Sequence, residues 1–140
     1  MRPMLDSYFI AAAAAIALVL GLLHLFYTYN GTKLHPRDDA LKARMQEVAP
    51  VISRDTTMWR TWIGFNASHS LGAMLFGLLY AYLPLAHAGM FFQSPFLIGV
   101  GLALLASFVA LGRVYWFSVP FRGIVAATAL YALGLVVHFA

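Results

Sequence analysis

Residues Trp62–Leu85 read WIGFNASHSLGAMLFGLLYAYLPL. A bilayer core of ~30 Å is crossed by roughly 20 apolar residues in a helix, and this run is long and apolar enough to do so. Yet its first third places Asn66, Ser68, His69 and Ser70 close together. A polar group at membrane depth costs free energy unless it is partnered, so each of these needs a reason.

Working outward, three further segments have the same character. They lie at about 8–29, 96–117 and 123–140, and with 62–85 they make four spans. The chain is 62% hydrophobic and 10% charged over 140 residues. An average soluble domain carries roughly 25% charged residues. The mean hydropathy of +0.80 agrees. The expected fold is all-α: a single-domain integral membrane protein forming an antiparallel four-helix bundle.

The first span follows Arg2, as a secretory signal would, but its apolar stretch outlasts a signal core and Asp6 stands where a signal is basic. It is expected to be a retained helix. The chain has no cysteine, which excludes disulfides, thiolate metal ligands and a cysteine nucleophile. A net charge of +4 raises nucleic-acid binding as a possibility. The charges lie beside the spans, so membrane topology accounts for them better.

The joints carry helix punctuation. Asn30-Gly31 suits a left-handed cap, Ser94-Pro95 an N-cap with proline in the first turn, and Pro84 a kink or exit. Ser118-Val-Pro120 is a short link that makes a hairpin of the last two helices. Between the first two spans, Asp38–Val48 spaces Leu41, Met45 and Val48 as a short amphipathic helix on the membrane surface.

Lys33, Arg37, Lys42, Arg44, Arg54 and Arg60 fall in the 30–60 loop, and Arg113 and Arg122 flank the last turn. This bias predicts a cytoplasmic 30–60 loop and non-cytoplasmic termini. Small residues recur at four-residue spacing in Ala13-Ala17-Gly21, Gly64-Ser68-Gly72, Ala73-Gly77-Ala81 and Gly99-Ala103. Such stripes allow close helix packing in lipid, and two of them make the second span the expected most buried helix.

At a rise of ~1.5 Å per residue, His24 lies roughly 8 Å inside its boundary, and Asn66 and His69 roughly 6–11 Å. Arg60, Arg113, Tyr115 and Arg122 fall in the same layer, whereas His138 is at the opposite end. Asn66 and His69 are three apart and share a helix face. Structural roles stand beside functional ones: amide and imidazole as interhelical glue, arginines reaching for headgroups.

Two site chemistries fit the layer. Arginines and an amide can hold a small anionic ligand, with an apolar groove for a lipophilic second substrate. Alternatively, His24 and His69 can ligate haem or a metal, although no carboxylate is expected in any span to complete a metal shell. A non-enzymatic accessory subunit or a lipid-binding protein is the reading from another class.

The four spans, the basic loop and three local patterns resemble the MAPEG family, the membrane-associated proteins in eicosanoid and glutathione metabolism. Asn66-Ala-Ser-His69 stands where that family often carries Asn-x-x-Glu, with Trp62 in the place of its arginine. GRVYWFSVPFRG offers Arg113, Tyr115 and Arg122 where the family has an Arg and Tyr before a short turn and another Arg. The tail ALGLVVHF also has the character of the family's last helix. The resemblance implies a homotrimer and a glutathione transferase or isomerase activity. With the shared depth it points to ligand contacts for Asn66, His69 and Arg122 and catalytic roles for Arg113 and Tyr115; Arg60 and His24 join the ligand-binding set by depth alone.

Overall fold

The computed structural model describes residues 2–140, with side chains from Met4 onward. Six helices occur in order among the described residues: α1 (Arg2–Tyr29), α2 (Asp39–Glu47), α3 (Met58–Ala86), α4 (Ala88–Phe92), α5 (Pro95–Tyr115) and α6 (Ser118–Phe139). No strand occurs among the described residues. Four helical stretches, Met4–Tyr29, Met58–Ala86, Pro95–Tyr115 and Ser118–Phe139, are long and apolar enough to cross a membrane. The most apolar window of α3 buries the largest share, 33% against 28%, 22% and 22%, as its small residues lead one to expect.

Several boundaries differ from the sequence reading. α1 begins well before residue 8, so Asp6 lies inside the helix and inside its candidate span. The expectation of spans without a carboxylate is therefore corrected; the reason is a partner for Asp6, described below. Residues 88–92 form a short helix within what reads as a loop. Ser118 already belongs to α6, which leaves only Trp116 and Phe117 as the link.

The caps are as the residue types require. Gly31 takes φ 86°, the left-handed conformation that ends α1. The Asp38 side chain accepts from the Ala40 and Leu41 N–H groups and opens α2. Ser94 accepts from the Leu97 N–H ahead of Pro95. Pro84 is buried inside α3, and the helix ends two residues later.

The chain forms two compact units, and α1 and α3 each contribute a stretch to both. The first comprises residues up to Leu20 together with Ala73–Ala140. Its core joins Ile10, Ala13, Phe76, Tyr80, Phe91, Leu105 and Tyr131. α5 packs on α4 and α6. Two tyrosines fix α5: Tyr80 Oη donates to the Leu97 carbonyl at 2.7 Å and Tyr131 Oη to the Ile98 carbonyl at 3.2 Å. Both phenols reach the backbone because position 101 is glycine, where a Cβ would collide with the Tyr131 hydroxyl and with Tyr80 Cε1. Gly77 likewise admits the Leu18 backbone, at 2.8 Å from where its Cβ would be.

The second unit is Gly21–Gly72. It holds the end of α1, the basic loop with α2, and the start of α3. Here the Gly64-Ser68-Gly72 stripe is exposed, with open space beside both glycines. Its expected packing role within the chain is corrected: the neighbouring helix seats against Ala73-Gly77 instead.

Candidate functional site

The polar cluster is assembled by helix-local bonds first. Thr28 Oγ1 donates to the His24 carbonyl at 2.8 Å, and Ser70 Oγ to the Asn66 carbonyl at 2.8 Å. The Asn66 amide nitrogen donates to the Trp62 carbonyl at 2.8 Å. Each side chain turns back one helical turn, which satisfies a polar group without water. Thr28, Asn66 and Ser70 are all buried.

Asn66 then has one oxygen to offer, and it lies 2.9 Å from His24 Nε2. The amide nitrogen is committed to Trp62, so Oδ1 is the acceptor and His24 Nε2 carries the hydrogen. In the neutral ring the Nδ1 lone pair is then the accepting one. His69 stands one turn along α3 from Asn66, and its ring meets that of His24 edge-on, with centroids 5.3 Å apart and planes at 76°. His24 thus joins Asn66 and His69, more than forty residues further along the chain, in one group inside the second unit.

The loop of the same unit carries further contacts. Trp62 Nε1 donates to the Leu34 carbonyl at 3.0 Å. Beside it, Leu34, His35, Pro36, Met45 and Trp62 line an open hollow of about 280 Å³. Lys42 Nζ donates to His35 Nδ1 at 3.2 Å, and the His35 ring meets Trp59 edge-on at 4.9 Å.

The remaining sequence candidates are placed differently. Arg60 is exposed in the first turn of α3. Arg113, Tyr115 and Arg122 belong to the first unit, around the α5–α6 link, and are exposed; Tyr115 is 77% so. Among the described residues, no group of three or more His, Cys, Asp or Glu side chains comes together as a metal site would require.

The first unit also contains an aspartate–histidine pair that the sequence reading missed. The Asp6 side chain is 3% exposed and its Oδ2 accepts from His138 Nδ1 at 2.6 Å. Its other oxygen accepts from the Ser7 N–H at 2.6 Å. The His138 ring is stacked on Phe92, centroids 3.9 Å apart and planes 7° from parallel. Gly134 opens the approach, since a Cβ there would lie 3.0 Å from the Asp6 carbonyl oxygen. The signal available was an acid next to an apolar run, and a histidine in the last turn of the last helix.

No family model, curated protein or solved structure matches the chain.

Proposed function

We propose that the protein crosses the bilayer with its four apolar helices as an antiparallel bundle, with the 30–60 loop cytoplasmic and the termini on the other side. In this reading the His24–Asn66–His69 group binds a small anionic or thiol-bearing ligand at the cytoplasmic boundary, as the MAPEG resemblance implies. A lipophilic co-substrate would enter from the surrounding lipid. The carrying observation is the His24–Asn66 hydrogen bond, with His69 5.3 Å from His24 centroid to centroid. Simple helix glue needs one such bond, and here a second imidazole ring lies edge-on against the first. Ionisable groups within spans mark sites by default.

The test is thermal unfolding of the detergent-purified protein with glutathione, an S-alkyl glutathione, or a simple dicarboxylate. A rise in Tm that disappears in His69→Ala and Asn66→Leu supports the reading. No rise with any of them removes the anion and thiol version. A rise abolished only by Arg113→Ala or Arg122→Ala moves the ligand to the α5–α6 link and away from the imidazoles.

A second reading rests on the same two rings. Metal-ligating histidines commonly hand their other ring N–H to a fixed acceptor, which is what Asn66 is for His24. Haem or a metal ion held by His24 and His69 would fit that arrangement. An absorption spectrum of the purified protein with and without added haem decides: without a Soret band shifted from that of free haem, the haem version ends.

A further inference from the structure

The loop between α2 and α3 departs from ordinary loop construction. Its neck is closed by the Met58 N–H donating to the Val48 carbonyl at 2.8 Å. Inside it, the Ser53 N–H donates to the Pro50 carbonyl at 3.2 Å, the Asp55 N–H to Ser53 Oγ at 3.1 Å, and Ser53 Oγ to the Asp55 carboxylate at 3.2 Å. The loop is therefore a shaped element. At its tip, however, Val51 and Ile52 are 109% and 94% exposed. Two β-branched aliphatic side chains wholly unpacked on an internally bonded turn are expensive in water.

We propose that this turn is a membrane-docking finger, which sinks Val51 and Ile52 into the headgroup–acyl boundary of an anionic leaflet. The proposal rests on the membrane reading of the helices but not on any ligand at the imidazoles. Ile52 is four residues from Val48, so it lies at most about 14 Å from the neck. The neck is bonded to the first residue of α3. At ~1.5 Å per residue, the 29 residues of α3 exceed a ~30 Å core, so the first turn stands in the headgroup layer, roughly 5–8 Å thick. The finger can thus reach lipid without leaving its neck.

Charge names the lipid. Lys33, Arg37, Lys42, Arg44, Arg54 and Arg60 outnumber Asp38, Asp39, Glu47 and Asp55 in the loop. Of the acids, Asp38 caps α2, Glu47 pairs with Arg44, and Asp55 accepts from Ser53; of the bases, Arg44 is taken up by Glu47 and Lys42 by His35. Arg54, two residues beyond Ile52, is exposed. Apolar tip and adjacent arginine is the composition that binds anionic interfaces.

The absence of cysteine makes the test clean. Val51→Cys, Ile52→Cys and, as a control on α2, Gln46→Cys are spin-labelled one at a time. The full chain is then reconstituted into phosphatidylcholine bilayers with and without phosphatidylglycerol. Power-saturation EPR with oxygen and a water-soluble nickel chelate reads depth. The expected result is an oxygen-to-nickel accessibility ratio several-fold higher at 51 and 52 than at 46, rising further with phosphatidylglycerol. Equal ratios at 52 and 46 overturn the finger. An immobile label that both reagents miss overturns it in favour of a protein contact. A ratio indifferent to phosphatidylglycerol overturns the part assigned to the arginines. Failure of the unlabelled protein to enter bilayers overturns it together with the membrane reading beneath it.

Discussion

The two units of this chain treat polar groups in opposite ways. The first unit buries the Asp6 side chain and gives it two short partners, the His138 ring and the Ser7 N–H, each at 2.6 Å, with Phe92 lying flat on the imidazole. Its glycines at 77 and 101 have no room for a methyl group, whereas those at 89 and 99 face open space. The second unit gathers two imidazoles and an amide, His24, His69 and Asn66, and its glycines at 64 and 72 face open space. A buried charge tolerates no slack, because an unpaired ion in an apolar phase is far costlier than an unpaired amide. The closest approaches to a glycine, at Gly77, Gly101 and Gly134, belong to the first unit, and the candidate site belongs to the second.

The largest effect should come from breaking the aspartate–histidine pair. His138→Ala leaves Asp6 buried without its histidine and is expected to cost about 3 kcal/mol, the lower part of the range for such pairs because His138 is about one-third exposed. Thermal unfolding in detergent measures it. Adding Asp6→Asn to His138→Ala should recover much of the loss, since the charge is gone while an oxygen remains for the Ser7 N–H. Failure to recover would mean that the Phe92 stack, not the charge, holds this end.

Next is Gly101→Ala. The added methyl meets both tyrosines, so the phenol bonds to α5 should break and stability fall by about 1–3 kcal/mol. Tyrosine fluorescence and unfolding report this together. A silent Gly101→Ala would contradict the close packing ascribed to the first unit.

Asn66→Leu should do less, about 1 kcal/mol, because the lost bonds are neutral and interhelical bonds in membranes are individually modest. Its informative readout is imidazole NMR: His24 should lose its preference for hydrogen on Nε2. An unchanged tautomer would show that something other than Asn66 sets it.

The smallest effect is expected at Gly64→Ala and Gly72→Ala. Each adds a methyl to open space on a helix, so stability should hold or rise by up to about 1 kcal/mol. A loss accompanied by a change of particle size in gel filtration would sharpen the contrast differently, by showing that this face packs against another copy.

Much of the scaffold was legible because each signal was local. Apolar runs, Gly31, Asp38 and Ser94 act within one helical turn, so the four long helices and their caps could be read residue by residue. Equal depth put His24, Asn66 and His69 in one layer, but together with Arg60, Arg113, Tyr115 and Arg122. What depth could not supply was azimuth and partner. Hydropathy placed the start of α1 after Asp6, because an acid looks like an end until its histidine, at the other extreme of the chain, is seen. The same limit applied to the small-residue stripes: Gly64-Ser68-Gly72 and Ala73-Gly77-Ala81 look alike in sequence, and only the position of Leu18 beside Gly77 distinguishes them.

Helicity, four segments long and apolar enough for a bilayer, and a concentration of polar residues around 62–70 were readable along the chain. These follow from composition and periodicity, which are properties of neighbours in the chain. The tertiary structure decided which polar groups meet, which glycines are close approaches, and that a bonded turn presents Val51 and Ile52 without cover. Those outcomes depend on pairings across tens of residues, such as Asp6 with His138 and His24 with Asn66, whose energies exist only once the chain has folded back on itself.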